Sequence, residues 1–261
     1  MEVRCLIKRL VVCVLAAAFL ACGSNKPRAN MTTEERFAYA LKLFHDKNYF
    51  DATTQFRIVI LNAPGSPLVD QAQFYLAECH FHRQEFILAA SEYEKLIRLY
   101  PRSDKLDDAQ YKIGLCYDEL SPKSDLDQKY TYRAIEAFQR FLEDFPASEY
   151  APEVEKKLFE AREKLAKKEF NTGNLYRKMA YYESAVISFN DVLARFYDTR
   201  YAEPAHFYKG QCLFKLQRYN EARETLTEFL QKFPKSKFHS KAQSLVFLLD
   251  KAPSTDGTAK K

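Results

Sequence analysis

The sequence predicts an all-α fold, an α/α solenoid of five helical hairpins with a long helix between the third and fourth hairpins and a C-terminal capping helix. One observation behind this prediction is a repeated unit. An alanine precedes an aromatic residue or leucine by four residues, and a proline or its replacement follows eight residues further on. The units are Ala52/Phe56/Pro64, Ala89/Tyr93/Pro101, Ala134/Phe138/Pro146, Ala185/Phe189/Tyr197 and Ala222/Leu226/Pro234. The other observation is the spacing of the key alanines, 37, 45, 51 and 37 residues, which is regular at both ends and expanded in the middle.

Each regular unit is expected to form two packed helices. A second small residue stands twelve residues before the key alanine in four units, at Ala40, Ala77, Gly173 and Gly210. Small residues at these two places let the helices approach closely, as in the 34-residue tetratricopeptide (TPR) hairpin. Most connections have the form Pro-x-Ser, so we expect the proline to end one helix and the serine to cap the next.

The two expanded spacings indicate two insertions. In the third unit the small partner, Gly114, stands 20 residues before Ala134, so eight extra residues are expected as a loop within the hairpin, around 121–127. A further 14 residues separate the third unit from the fourth. Apolar residues continue through them at helical spacing: Val154, Leu158, Ala161 and Leu165. We therefore expect one long helix from about Ala151 to Ala180.

One more helix is expected after the fifth unit. Ala242 matches Ala205 at the same 37-residue offset, but Phe247 stands where the hairpin requires a small residue. Because no second helix follows, this segment is interpreted as the cap of the solenoid.

The N-terminus has the features of a lipoprotein export signal. Arg4, Lys8 and Arg9 precede an uncharged apolar run over residues 10–21. This run is too short to span a bilayer and is typical of a secretory signal. It ends before Cys22, in a setting that resembles the bacterial lipoprotein box, where the cysteine becomes the lipidated first residue and anchors the protein in a membrane. The alternative is an ordinary cleaved signal peptide in which Cys22 has no role.

These features divide the chain into five segments. Residues 1–21 are the expected signal peptide, and 22–33 form the lipidated N-terminus and a flexible linker. TPR-like repeats 1–3 are expected over 34–150. The long helix, repeats 4–5 and the capping helix follow over 151–250, and a disordered tail over 251–261.

The composition favours a folded protein that binds other proteins and not nucleic acid. Aromatic residues make up 15% of the chain and charged residues 29%, which is typical of a folded soluble body. The formal net charge is only +5, and Lys and Glu alternate along the predicted helices, so no basic surface for nucleic acid is expected. A helical solenoid instead offers a long curved surface to partners.

Besides Cys22, three cysteines remain after the leader, Cys79, Cys116 and Cys212. Each lies two residues after the small residue of its unit, so the three occupy equivalent places in different hairpins. Packed helices lie about 8–10 Å apart, whereas a disulfide needs Cα atoms about 4.4–6.8 Å apart. We expect these cysteines to be reduced and buried.

A row of aromatic residues on the first helices is the candidate binding site. With the small residue counted as position 8 of each hairpin, positions 5 and 12 lie seven residues apart, on one helix face. The candidate residues are Phe37, Phe44, Phe74, Phe81 and Tyr111. The functional interpretation is an aromatic groove for an extended peptide. The alternative is that these rings pack between neighbouring helices and fill the core.

No metal, cofactor or catalytic centre is predicted, and the protein is not expected to be an enzyme. His80 and His82 lie about 200° apart on a helix, so they cannot share an ion. Glu78 and His82 share a helix face, but two ligands without a third are weak evidence for a site. The sequence contains no phosphate loop and no arrangement typical of nucleophilic catalysis.

The chain resembles the BamD family, TPR lipoproteins of the outer-membrane β-barrel assembly (BAM) machinery. The shared features are the lipid-type cysteine, the five hairpins, the Pro-x-Ser connections and the long dividing helix. The most specific residues are Arg133–Phe138, Phe145–Tyr150, Leu165–Glu169, Tyr176 and Tyr182–Ala185. The resemblance covers nearly the whole mature chain. It departs from the family at Phe19 and Leu20 of the lipoprotein box, and at Tyr197, where the fourth repeat of the family has proline.

The resemblance implies a periplasm-facing scaffold that is anchored in the outer membrane by lipid on Cys22. It further implies binding to the barrel protein BamA through the C-terminal repeats, association with other BAM lipoproteins, and contact with unfolded barrel precursors at the N-terminal groove. The alternative is another periplasmic TPR protein, similar to a pilotin or to CpoB. Pilotins usually lack the long dividing helix and CpoB lacks a lipid cysteine, so the sequence favours the first interpretation.

Overall fold

A computed structural model describes residues 30–251, which form eleven α-helices and connecting turns with no β-strand in that range. In chain order the helices are α1 (Thr33–His45), α2 (Tyr49–Asn62), α3 (Val69–His82), α4 (Phe86–Leu99), α5 (Leu106–Glu119), α6 (Lys129–Asp144), α7 (Ala151–Lys178), α8 (Tyr182–Arg195), α9 (Ala202–Lys215), α10 (Tyr219–Lys232) and α11 (His239–Lys251). Successive helices pair from α1/α2 to α9/α10, and α11 is the cap. The predicted all-α solenoid of five hairpins is therefore confirmed. The signal peptide, Cys22, most of the linker and the tail from residue 252 lie outside the described residues.

Each hairpin closes where a small residue on its first helix faces a large residue on its second. Three of the small residues are glycines, and a methyl group added to any of them would meet the facing side chain. The pairs are Gly114 with Phe138, Gly173 with Phe189 and Gly210 with Leu226, at 2.3, 2.8 and 2.6 Å from the added Cβ. The sequence repeat therefore reflects helix packing within each hairpin. The small residue makes room for the large residue that follows the key alanine by four places.

The Pro-x-Ser connections differ in detail from the prediction. The prolines lie two residues beyond the second helix, as Pro101 does after α4 ends at Leu99, but the prediction that serine caps the next helix is wrong. The N-cap residue of α5 is Lys105, which makes no side-chain capping bond. Ser103 Oγ instead accepts a hydrogen bond from the backbone N–H of Lys105 at 3.2 Å and donates its own proton to Asp70 Oδ2 at 2.7 Å.

This serine-to-carboxylate bond ties the connection that follows a hairpin back to the first helix of that hairpin, and it recurs along the solenoid. The bonds are Ser103 to Asp70 at 2.7 Å, Ser148 to Asp107 at 3.0 Å and Ser236 to Glu203 at 2.6 Å. In the fourth connection Thr199 takes the place of the serine, and its hydroxyl donates to Phe196 O in its own turn at 2.8 Å. The residue equivalent to Glu203 there is Ala166, buried in the middle of α7, so the long helix removes the acidic partner.

The two insertions contact each other. The long helix α7 has 28 residues, and the loop inserted between α5 and α6 lies against it. Lys164 Nζ donates to Ser121 Oγ at 2.7 Å, and Lys168 Nζ donates to the backbone oxygen of Leu126 at 2.6 Å. Gln128 holds the loop from within by donating to two of its backbone oxygens. The third hairpin and the long helix are thus joined by more than their direct connection.

The three cysteines are free and buried, as predicted. Burial raises the pKa of the thiols of Cys79 and Cys116 to about 12 and that of Cys212 to about 11. They are therefore neutral, unreactive core residues. Between residues 30 and 251, none of the helices combines the length and apolar character needed to cross a bilayer.

Candidate functional site

The structure buries three of the five rings of the predicted groove. Phe37, Phe74 and Tyr111 are only 7%, 9% and 7% exposed. Phe37 packs edge-on against Phe56, with ring centroids 5.8 Å apart, and Phe74 lies 5.7 Å from Tyr93. The ring of Tyr111 instead stacks face to face on the ring of a tyrosine in the next connection. The interpretation that these three rings line an open groove is corrected, because they fill the layer between adjacent hairpins.

Phe44 and Phe81 are half-buried and form an aromatic cluster at the turns of the first two hairpins. The centroid of the Phe44 ring lies 5.5 Å from those of both Tyr49 and His82. The Tyr49 and His82 rings stack on each other, with centroids 4.8 Å apart. Phe81 packs on Phe86 at 5.4 Å. Of the predicted site, these two rings are the ones with surface left for a partner.

A buried carboxylate, Glu78 on α3, lies beside this cluster and was not predicted as a site residue. The Tyr93 hydroxyl on α4 donates to its Oε1. Lys112 Nζ on α5 lies 2.8 Å from Oε1 and 3.1 Å from Oε2, and also 4.7 Å from the centre of the Phe81 ring. His82 Nε2 approaches Glu78 at 3.7 Å. Three side chains, one from each of three consecutive helices, thus share one carboxylate.

The electrostatics of this group indicate a structural role. Burial raises the pKa of the Tyr93 hydroxyl well above its usual value, and the neighbouring Glu78 raises it further. Tyr93 therefore stays protonated and donates, while Lys112 neutralises the charge of the carboxylate. Within residues 30–251 no cluster of three or more His, Cys, Asp and Glu side chains could hold a metal ion. The shared helix face of Glu78 and His82 brings the imidazole to 3.7 Å from the carboxylate.

A cleft of about 600 Å³ opens between α4, α5 and α6. Its lining carries charges of both signs, from Glu94, Arg98, Arg133, Glu136 and Arg140. At its centre the Tyr117 hydroxyl donates to Glu94 at 3.3 Å, and the Arg133 guanidinium lies 5.5 Å above the Tyr117 ring. Sequence reasoning missed this cleft because its residues lie on the polar faces of their helices, outside the repeat frame.

Sequence reasoning also missed an aromatic surface in repeats 4 and 5. Phe170, Tyr201, Tyr208 and Phe238 line a depression there, and none of them was predicted as a site residue. A signal is present, because Tyr201 and Phe238 stand 37 residues apart, at the same place in successive connections.

The fold and these surfaces define a TPR-type solenoid, a protein class that binds partners along stacked hairpins. A family model described as an outer membrane lipoprotein, YfiO, matches residues 29–225. This match covers well over half of the chain. The chain therefore belongs to the YfiO, or BamD, family of outer membrane lipoproteins.

Similar solved structures are TPR proteins of low sequence identity. One is a tetratricopeptide repeat protein from Parabacteroides merdae (13% identity, 84% of this chain and 73% of that chain, TM-score 0.37). Another is the TPR2AB domain of yeast Sti1 in complex with pHSP90 (15% identity, 84% and 98%, TM-score 0.41). A third is PilF of Pseudomonas aeruginosa (18% identity, 84% and 83%, TM-score 0.33). Likeness at this level carries no functional information. No curated protein matches the sequence.

Proposed function

We propose that this protein is a lipid-anchored, periplasm-facing scaffold of the outer membrane that helps to fold and insert β-barrel proteins as part of a BAM complex. The observation that carries the proposal is the family match over residues 29–225. The division of five hairpins into three and two by a 28-residue helix supports it, since that division is also a feature of the BamD family. The scaffold acts by binding and not by chemistry.

An exposed apolar surface supports a protein partner at the C-terminal repeats. Near the end of α7 and the start of α8, Leu175, Met179 and Tyr181 are 56%, 52% and 57% exposed. Leu175 and Met179 are four residues apart and so share one helix face. Exposed apolar groups clustered in this way mark protein interaction sites, and we assign this surface to the BamA-like barrel protein.

Affinity purification of the full-length chain from detergent-solubilised envelopes tests this assignment. We expect the wild-type chain to recover an outer-membrane barrel that carries periplasmic POTRA domains. The double variant Met179→Asp/Tyr181→Asp should lose at least about 90% of it, because charged groups are strongly disfavoured in a desolvated interface.

The matched control is Leu61→Asp/Leu99→Asp, which places the same two charges on residues of the first two hairpins that are 71% and 57% exposed. Its recovery of the barrel should be unchanged. Recovery of a secretin, or of peptidoglycan synthesis proteins, would refute the BAM role and favour a pilotin-like or CpoB-like scaffold.

Lipidation at Cys22 is tested by Cys22→Ser. We expect this variant to move from the membrane fraction to the soluble periplasmic fraction, because loss of the acyl chains removes the anchor. The control is Cys5→Ser within the leader, which should leave the protein in the membrane fraction. Unchanged sedimentation of the Cys22→Ser variant in high salt would contradict lipid anchoring.

Barrel precursors remain the proposed clients of the N-terminal half. The half-buried rings of Phe44 and Phe81 support a peptide contact at the turns of repeats 1 and 2. Phe37, Phe74 and Tyr111 would support that surface from beneath.

A further inference from the structure

Four aromatic rings form a continuous row across repeats 4 and 5. They are Tyr201, Phe170, Tyr208 and Phe238, and successive ring centroids are 5.6, 6.2 and 5.5 Å apart. The rings line an open depression of about 460 Å³. All four are half-buried, so each is held by packing and still has surface available to a ligand.

Three of the four rings make a cation–π contact with a basic side chain. The Arg200 guanidinium lies 5.3 Å from the centre of the Tyr201 ring, that of Arg177 lies 4.3 Å from the Tyr208 ring, and Lys237 Nζ lies 5.1 Å from the Phe238 ring. Cations therefore stand at both ends of the row and above its middle.

These cations are incompletely neutralised. The residues that line the depression include neither Asp nor Glu. Arg200 approaches Glu163 at 3.4 Å but is 71% exposed. Arg177 bonds to the amide oxygen of Asn174 at 2.8 Å, and Lys237 has no ion pair among the described residues. The row thus combines aromatic surface with an excess of positive charge.

We propose that this row binds an extended segment of a partner protein in which an aromatic side chain is flanked by acidic residues. The aromatic residue stacks on the rings near Tyr208, and the flanking carboxylates pair with Arg200 and Lys237 at the two ends. At about 3.3 Å per residue, a row of this length matches roughly five residues of extended chain.

A protein segment fits better than single-stranded nucleic acid, which is also bound by aromatic rings and cations. Nucleic-acid grooves track several successive phosphates with an extended series of cations. Here the cations are three, at Arg200, Arg177 and Lys237, and the formal net charge of the chain is only +5, which suits a short acidic segment. The inference goes beyond the assembly role, because it names a peptide class that the row would bind whether or not the chain joins a BAM complex.

Fluorescence anisotropy with labelled peptides tests the proposal on the full-length chain in detergent. The probe is an amidated nonapeptide with one central Phe, two Glu on each side and Gly/Ser ends. Replacing the Glu residues with Gln, or the Phe with Ala, should each weaken binding by about tenfold, the loss expected when one good contact is removed.

On the protein side, Lys237→Glu should weaken binding of the acidic peptide by at least about tenfold, and Arg200→Glu/Lys237→Glu should abolish it. The matched control for the single variant is Lys235→Glu, the same substitution at an exposed residue of the same connection that does not line the depression, and it should bind normally. Thermal melting of each variant checks that the fold is intact.

Three results would overturn the proposal. One is equal loss of binding in Lys235→Glu, which would indicate nonspecific charge attraction. Another is the absence of binding by the wild-type protein, or binding that does not depend on the Phe or on the Glu residues of the peptide. The third is tighter binding of an oligo-dT probe, or of a neutral peptide with a free C-terminal Phe, than of the acidic peptide. None of these results bears on recovery of the barrel partner, so the two proposals fail independently.

Discussion

Gly114→Ala is expected to lower the free energy of unfolding by about 2 kcal/mol. The added Cβ would lie 2.3 Å from Cε1 and 2.4 Å from Cδ1 of Phe138, distances that no relaxed structure keeps. The Phe138 ring is fully buried between Tyr111, Phe141 and Val154, so it cannot turn away without disturbing the next layer. Overpacking costs about 1–3 kcal/mol, and the better helix propensity of alanine returns at most about 1 kcal/mol.

Chemical denaturation and thermal melting measure this loss, which corresponds to a fall in Tm of roughly 4–8 °C for a domain of this size. Gly65→Ala is the control, because a Cβ there meets nothing within 4 Å, and its stability should change by less than about 0.5 kcal/mol. Adding Phe138→Leu to Gly114→Ala should restore part of the loss. An unchanged melting temperature in Gly114→Ala would show that the hairpin can open without cost.

Glu78→Ala is expected to destabilise the protein by about 3 kcal/mol, the usual cost of breaking a buried ion pair from one side. It leaves the fully buried Tyr93 hydroxyl without its acceptor and removes the carboxylate from Lys112. Tyr93 cannot reach water, so its lost hydrogen bond dominates the cost. Lys112 keeps some exposure and recovers part of its hydration.

Two variants separate these contributions. Glu78→Gln keeps an oxygen acceptor for Tyr93 and loses only the charge, so its loss should be about 1 kcal/mol. The double variant Glu78→Ala/Tyr93→Phe removes donor and acceptor together and should be more stable than Glu78→Ala alone. Glu94→Ala, an exposed carboxylate on α4, is the control and should change stability by less than about 0.5 kcal/mol. Equal stability of Glu78→Ala and wild type would show that the network is not stabilising.

Most of the fold could be predicted because packing between helices imposes a period on the sequence. The small residues and the key alanines occupy the places where two helices touch, so they recur with the hairpin. The expanded spacings gave the long helix, whose observed range of Ala151–Lys178 is close to the expected one. The role of Ser103 could not be predicted, because its bond to Asp70 spans 33 residues, from a connection back to the first helix of the preceding hairpin.

The candidate site was less predictable, for a physical reason. A residue type and a helix face do not determine whether a neighbouring hairpin covers that face. Phe37 and Phe44 lie seven residues apart on the same helix, yet the first is buried and the second half-buried. The row from Tyr201 to Phe238 depends on connections, which position their rings by packing that the helical period does not describe.

The long helix α7 sets the distance between the two halves of the solenoid. At about 1.5 Å per residue its 28 residues extend roughly 42 Å, and Lys164 and Lys168 fix its middle to the loop of the third hairpin. If the surface at Phe44 and Phe81 and the row at Tyr208 each bind a segment of a partner, this helix keeps the two segments at a fixed separation. A single chain that engages both halves needs a linker matched to that span, and its second contact then forms at a high effective concentration. Two individually weak contacts can in this way retain one long, unfolded polypeptide.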